Sequence, residues 1–511
     1  MRTRVIGAII AAAALTVAAP VRADLCTIEA TPAATLLLPY FEVDIDHADG
    51  VDTFFSINNA SASAVLTHVI VWTDMSVEAL DFNVFLTGYD VQTIGMGLII
   101  RDGILPVTGD RESISPTGPF SDYSSGNPNS IDVYPSCASF MPYPTPALDD
   151  VYLAHVQSIL TGGPSTIYGG RCGGADYGDN IARGYVTADI VVDCTLKTPC
   201  DDGYFTITPA TQELIGGYGN ALWGDWYMID YANDFAQGDT LVHVEAGLLR
   251  IIPPPQGVLT PAQNLAAVRA EIAGRAPDAT DAIGFGFGGA TFWGRCATVF
   301  DEDKVVVDFR EPLGTTYAAR FYQNAAFSGG TDYLVWRDSL FNVYFGDEDG
   351  FSCSSGPDWF PLNERQVVFF DEQENPETAC TISPCPEQDI LFPLEAQRVS
   401  IEDIDVTPES GWTYMNLNQV WIINPFGLTT VAAQGWVTAV HSAEGRFSAG
   451  LPAVQLDSMC DFSSVTLGPS GPDFPAEEET YSPFYFGSFT VGAQPAVAGP
   501  QATGVKNPLK P

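Results

Sequence analysis

The chain has 511 residues, of which 63 are acidic and only 21 are basic, so its formal net charge at pH 7 is −42. This excess of negative charge argues against nucleic acid and anionic membrane surfaces as partners. The length suits two folded domains better than one.

The N-terminal segment has the pattern of a secretory signal peptide. Arg2 and Arg4 precede an apolar run over residues 5–19, and Val21 and Ala23 occupy the −3 and −1 positions of a cleavage site. The apolar run is shorter than the roughly 18 residues that a membrane span needs, and no later stretch is long and apolar enough to be one. We therefore expect an exported protein without a transmembrane segment, in the periplasm, at the cell surface or in the extracellular space.

The first half of the chain reads mainly as β-strands. One strand is predicted over residues 33–43, and three more lie within residues 53–94. Residues 65–72 are apolar at both alternating sets of positions, which is typical of a strand that is buried on both faces. A long insertion follows around residues 101–180, with a helix predicted to begin at Pro146 and to end near Leu160.

Further strands are predicted at residues 183–194, 223–231 and 240–246, before a stiff proline run at residues 253–255. A helix with a capping box is predicted over residues 261–273. The rest of the chain predicts seven more strands, at residues 304–310, 333–336, 341–345, 366–370, 397–401, 420–423 and 435–441.

These elements predict a mainly β protein with two antiparallel β-sandwich domains and a few short helices in connections. We assign the chain as signal peptide 1–23, first sandwich 24–252, linker 253–289, second sandwich 290–470, and a C-terminal tail 471–511 whose end is expected to be disordered. The strand pattern resembles that of secreted immunoglobulin-like sandwiches, which is a likeness of fold only.

Short signatures recur in the same order in the two halves. The sequence VWTD at residues 71–74 has a counterpart in VWRD at residues 335–338, and GYVTA at 184–188 has one in GWVTA at 435–439. Each match alone is weak, because β-rich sequences share Val, Trp and Thr for packing reasons. The common order and separation predict an internal duplication of one sandwich.

Ten cysteines form an even set in a chain with an export signal, so disulfides are expected. Cys194 with Cys200, and Cys380 with Cys385, enclose short loops that contain proline. We predict a local disulfide in each loop in preference to a metal site, which would want tighter spacing.

Calcium is the cofactor that the acidic loops favour, because their carboxylates are hard oxygen ligands. The candidate ligands lie in two loops, neither of which has EF-hand spacing: Asp44, Asp46, Asp49 and Asp52 in the first half, and Asp347 and Asp349 in the second.

A polar cluster is predicted on neighbouring strands, and it comprises Asp225, Asp230, His243 and Glu245. Such a set could bind a metal ion or carry out acid–base chemistry, although polar residues on one face are more often the solvated side of a sheet. Trp223, Trp226 and Tyr227 beside Asp225 would suit a sugar-stacking surface, and the alternative is that they fill a core.

The chain lacks the GxSxG and HExxH motifs of common hydrolases. We therefore expect a non-enzymatic binding, surface or matrix role, with a carbohydrate or protein partner at the cell exterior. The alternative is a secreted carboxylate-dependent glycoside hydrolase or a carbohydrate-binding protein. A cleft with converging acids of shifted pKa would favour an enzyme.

Overall fold

The structure is a computed structural model of the chain. It describes residues 31–106, 147–201, 203–207, 215–217, 219–246, 292–293, 305–306, 310, 312–323, 329–338, 350–357, 360–376, 390–404, 406–423, 427–431, 434–443 and 447–456. All of these residues belong to one compact unit within Met1–Cys460.

The described residues of the first half form two larger antiparallel sheets and two helices. Its strands are β1 (Thr35–Asp44), β2 (Val51–Asn59), β3 (Val65–Thr73), β4 (Glu78–Leu86), β5 (Val91–Gly95), β6 (Ile181–Val191), β7 (Thr206–Ile207), β8 (Leu222–Trp223), β9 (Asp225–Asp230), β10 (Phe235–Thr240) and β11 (Val242–Val244). The helices are α1 (Met96–Ile100) and α2 (Asp150–Leu160). One sheet has the order β11-β1-β6-β3-β4, and the other has the order β10-β9-β2-β5 with β8 also paired to β2.

The described residues of the second half form two four-stranded sheets and contribute to two smaller ones. Its strands are β12 (Val305–Val306), β13 (Thr316–Tyr322), β14 (Thr331–Arg337), β15 (Gln366–Asp371), β16 (Ala396–Ser400), β17 (Ser410–Asn416), β18 (Gln419–Ile423), β19 (Gly427–Val431), β20 (Gly435–Ala443), β21 (Phe447–Pro452) and β22 (Val454–Gln455). The sheets have the orders β15-β17-β13-β22 and β16-β14-β20-β21, while β18 pairs with β19 and β12 pairs with β7.

The prediction of a mainly β, antiparallel, sandwich-type fold is confirmed. Each half has an apolar core between its two larger sheets. In β17, residues alternate between buried and partly exposed, as expected for a strand with one face on a core. In β3, all residues after Val65 are buried, because β4 and β6 pair with it on its two sides and α2 packs against it.

The two halves also share an apolar junction. Tyr333 and Val335 of β14 point into the second core, whereas Leu334 and Trp336 join the first. The Trp336 ring lies 5.9 Å from that of Tyr185. A disulfide between Cys172 and Cys353, 181 residues apart, joins the halves covalently.

The repeated signatures occupy matching positions in the sheets. Trp72 on β3 lies opposite Tyr185 on β6, and Trp336 on β14 lies opposite Trp436 on β20. The strand order β6-β3-β4 in the first half corresponds to β20-β14-β16 in the second. A duplicated sandwich would have this shared register, and the duplication itself stays a prediction.

Several boundaries differ from the sequence predictions. Helix α2 begins at Asp150, because the side chain of Asp149 caps it by accepting hydrogen bonds from the N–H groups of Val151 and Tyr152. The segment over residues 223–246 contains β9, β10 and β11 in place of two strands. Strands β13 and β17 were not predicted, since polar residues and glycine interrupt their apolar positions.

Other predictions fall outside the described residues. These are the signal peptide, the proline run at 253–255, the helix at 261–273, the strand at 341–345 and the tail. In the part of the chain that is described, no helix has the length and apolar character to cross a membrane.

Candidate functional site

A polar cleft of about 460 Å³ lies at the junction of the two halves. The first half contributes Tyr40 and Glu42 from β1, Arg183 from β6, and Tyr177. The second half contributes Asp332, Arg398, Ser400, Glu402, Asp403, Ser442, Gly329 and Gly330. A cavity of this volume falls in the range of small-molecule sites.

Glu42 is the most enclosed carboxylate of the cleft, with 7% of its surface exposed. The Tyr40 hydroxyl donates a hydrogen bond of 2.7 Å to its Oε1 atom. Arg183 Nε lies 3.7 Å from Oε1, and Arg398 Nη1 lies 3.5 Å from Oε2. Both carboxylate oxygens therefore face donor groups of the protein. The donor near Oε2 comes from the other half of the chain.

Each arginine of the cleft has a second acidic partner. Arg398 donates from Nε and Nη2 to Asp332 Oδ2, at 2.8 and 2.5 Å. Arg183 forms two parallel hydrogen bonds with Asp179, of 2.8 and 2.6 Å, and lies 4.3 Å from the centre of the Tyr177 ring. Paired contacts of this kind fix the orientation of a guanidinium group.

The surroundings keep the Tyr40 phenol protonated. Burial, and then the nearby charge of Glu42, raise the pKa of Tyr40 well above its usual range. The phenol therefore acts as a hydrogen-bond donor to Glu42 over the whole physiological range.

The charge of the cleft lining is negative, since four carboxylates (Glu42, Asp332, Glu402 and Asp403) accompany the two guanidinium groups. Glu402 and Asp403 are exposed to solvent at its edge. A neutral or cationic polar ligand suits this lining better than an anionic one.

The acids predicted to bind calcium in the first half are partly separated. The Asp44 carboxylate accepts hydrogen bonds from the N–H groups of Asp46 and His47, at 2.9 and 3.0 Å. Asp52 instead accepts from Arg101 at 3.1 Å and from the Gly97 N–H at 2.8 Å. Asp46 and Asp49 are exposed.

Within the described ranges, no group of three His, Cys, Asp or Glu side chains is placed to hold a metal ion. Asp347 and Asp349 lie outside those ranges. Calcium binding remains a prediction.

The predicted polar cluster is spread over its sheet. Asp225 and Asp230 lie at opposite ends of β9, about 17 Å apart at the usual rise of a strand. Ser56 Oγ donates to Asp225 at 2.6 Å, Asn233 donates to Asp230 at 2.7 Å, and the Gly224 N–H donates to His243 Nε2 at 3.2 Å.

Glu245 accepts a hydrogen bond of 2.5 Å from Thr31. The residues named as one acid–base or metal-binding cluster thus have separate hydrogen-bond partners. Burial lowers the pKa of His243, which favours its neutral form.

Cys194 and Cys200 both take part in disulfides, and their pairing with each other stays a prediction. Cys380 and Cys385 lie outside the described residues. In the part of the chain that the structure describes, no cysteine is free.

Sequence reasoning did not single out the cleft residues. One signal was present, because Glu42 is a charged residue within the otherwise apolar strand TLLLPYFEVD. A buried charge usually has a partner. Its partner Arg398 lies 356 residues further along the chain, and nothing in the local sequence indicates that pairing.

The carboxyl groups with the most raised pKa lie away from the cleft. Burial raises the pKa of Asp74 to about 7 and that of Asp81 to about 7. Both side chains are buried, and neither lines the cleft.

Comparison of the chain with protein-family models, with curated proteins and with solved structures found no match.

Proposed function

We propose that the protein is an exported, disulfide-stabilised binding protein without catalytic activity, and that its ligand occupies the cleft between the two halves. The signal-like N-terminus and the Cys172–Cys353 disulfide support export to an oxidising space. Such a protein would act at the cell exterior, in binding or in assembly of a surface layer.

The observation that carries this proposal is the position of Arg398. Its guanidinium group contacts both Glu42 and Asp332, so it bridges carboxylates from the two halves. A glycoside hydrolase needs two carboxyl groups that flank the scissile bond, about 5 to 10 Å apart and open to substrate. Here an arginine bridges the two innermost acids, which favours a binding role over hydrolysis.

The lining also supports a ligand class. Tyr177, Ser400 and Ser442 add polar groups, and the carboxylates outnumber the guanidinium groups. The proposed ligand is a compact molecule that is neutral or cationic and rich in hydrogen-bonding groups.

A thermal-shift screen tests the proposal. We expect small sugars, amino sugars or polyamines to raise the melting temperature, because a ligand that binds only the folded state stabilises it. Dicarboxylates of the same size should have no such effect. Arg398→Gln should remove the shift, whereas Arg320→Gln, an exposed arginine paired with Glu372, should leave it intact.

Two results would count against the cleft as a ligand site. One is that only anionic compounds stabilise the protein. The other is that the shift with a neutral or cationic compound is the same in Arg398→Gln as in the wild type.

A further inference from the structure

A second surface lies on the outer face of the sheet β10-β9-β2-β5, away from the residues that line the cleft. Strands β8 and β9 continue in one register along β2, so that Trp223 lies opposite Asn58 and Tyr227 lies opposite Phe54. Residues directly opposite each other in an antiparallel pair share one face of the sheet. Trp223 and Tyr227 therefore point to the same side.

The aromatic rings of this face are open to solvent. Trp223 and Tyr227 are each 41% exposed, whereas Trp226 between them on the other face is 2% exposed. The Tyr227 ring is stacked on that of Phe54, with centroids 5.2 Å apart and planes inclined by 15°.

Glycine lies on both sides of the stacked pair. Gly238 of β10 is opposite Tyr227, and Gly95 of β5 is opposite Phe54. Because glycine has no side chain, nothing on these neighbouring strand positions rises beside the rings. Rings stacked at this distance face each other, so Phe54 covers one face of the Tyr227 ring, and the position of Gly238 leaves space beside the other face.

A polar row lies between the stacked pair and Trp223. The Asn58 Nδ2 group donates to Ser56 Oγ at 2.9 Å, and Ser56 Oγ donates to Asp225 Oδ1 at 2.6 Å. Asn58 is 2% exposed, and its Oδ1 atom has no hydrogen-bond partner among the described residues. Asn58 therefore lies beneath the surface, and the exposed acceptor of the row is the carboxylate of Asp225.

The dimensions of the face limit its occupant. Trp223 and Tyr227 are four residues apart, or about 14 Å, and the four strands are about 14 Å wide, so the part of the face that holds the two rings covers about 200 Å². A stable protein partner would need about 800 Å² on each side. The net charge of −42 and the carboxylate of Asp225 disfavour an anionic polymer.

We propose that this face binds a neutral polysaccharide, whose sugar rings stack on Tyr227 and Trp223 while its hydroxyl groups donate to the Asp225 carboxylate between them. Aromatic rings offer a broad apolar surface to the C–H face of a sugar ring, and the exposed carboxylate offers an acceptor to the hydroxyl groups between stacked units. The proposal goes beyond ligand binding in the cleft and involves none of the cleft residues.

Depletion of the protein from solution by insoluble neutral polysaccharides tests the proposal, with cellulose, chitin, β-1,3-glucan and starch as probes. We expect retention on at least one polymer, and retention that persists in molar sodium chloride. Trp223→Ala and Tyr227→Ala should each weaken it about tenfold, the loss expected for one stacking contact. Ile167→Ala removes an apolar side chain that is 44% exposed outside this sheet, and it should not change retention.

The depletion assay is independent of the thermal-shift screen of the cleft, because a failure of small-molecule binding in the cleft leaves retention on a polysaccharide unaffected. All variants are first compared by thermal unfolding, so that a lost fold is not counted as lost binding. The proposal is overturned if none of the four polymers retains the wild type, if the double variant Trp223→Ala with Tyr227→Ala is retained as well as the wild type, or if Ile167→Ala weakens retention equally.

Discussion

At the scale of single residues, Asp74 carries a buried carboxyl group at the junction of the two halves. Its Oδ1 atom accepts a hydrogen bond of 3.0 Å from the Ala175 N–H, and its backbone carbonyl accepts one of 3.0 Å from the Glu395 N–H. Burial raises the pKa of Asp74 from 3.8 to about 7. As pH rises, the unfolded chain releases this proton first, so the free energy of unfolding falls between about pH 4 and pH 7.

The variant Asp74→Asn tests this linkage, because asparagine keeps an acceptor for Ala175 and carries no charge. At pH 8 we expect it to be more stable than the wild type by up to about 4 kcal/mol, the equivalent of three pKa units. The gain should shrink to nothing by about pH 3, where the wild-type carboxyl is protonated in both states.

Urea unfolding at several pH values measures the difference. Asp102→Asn, a change at an exposed carboxyl, serves as the control and should leave the pH dependence unchanged. A stability difference for Asp74→Asn that is the same at pH 4 and pH 8 would show that Asp74 is not the titrating group.

Calcium binding is a second residue-scale prediction, at Asp46 and Asp49. Both are exposed in the turn between β1 and β2, where the Asp44 carboxylate also lies. Binding to the folded state alone would add about 2.7 kcal/mol at a hundredfold excess of calcium over its dissociation constant. The melting temperature should therefore rise more in calcium than in sodium chloride of matched ionic strength, and Asp46→Asn with Asp49→Asn should remove the difference. Equal melting temperatures in the two salts would refute the prediction.

At the scale of elements, close contacts between strands explain why glycine begins the repeated signature GYVTA/GWVTA. A Cβ atom on Gly184 would lie 1.9 Å from the carbonyl oxygen of Trp72, and one on Gly435 would lie 2.9 Å from that of Trp336. Gly411 of β17 approaches the carbonyl oxygen of Phe370 in the same way, at 1.8 Å. The partner strand leaves no room for a side chain at these positions.

Alanine at Gly184 or Gly411 should therefore destabilise the protein by about 3 kcal/mol, because the strands must separate to admit the methyl group. Gly219→Ala is the matched control, since no atom lies within 4 Å of its Cβ position, and we expect a change below about 0.5 kcal/mol. Chemical denaturation gives both values. If Gly184→Ala were as stable as the wild type, the pairing of β3 with β6 would have to be looser than in this structure.

The sequence predicts the long buried strands better than the short amphipathic strands, and it does not predict the cleft. Long apolar runs such as β3 were predicted because burial on both faces leaves a continuous pattern. Strands such as β13, with Arg320 exposed among alternating buried residues, carry a weaker signal. The cleft was not predicted, since its contacts join β1 to β16 across most of the chain and depend on tertiary packing alone.

At the scale of the whole molecule, the shared junction is what creates the cleft. Trp336 packs against Tyr185 and against Phe292, so the second half rests on the sheet that carries Tyr40 and Glu42. The Cys172–Cys353 disulfide and the Arg398–Glu42 ion pair also connect the halves. The cleft is thus part of a fixed arrangement, which suits a binding site that is formed before its ligand arrives.

The proposal that the cleft binds and does not hydrolyse is tested most directly by following neutral oligosaccharides and amino sugar oligomers over time with the wild type and with Glu42→Gln. We expect that neither protein releases new reducing ends, and that ligands which stabilise the wild type are recovered intact. Turnover by the wild type that Glu42→Gln abolishes, in a variant that keeps the wild-type melting temperature, would contradict the proposal and identify Glu42 as a catalytic carboxylate.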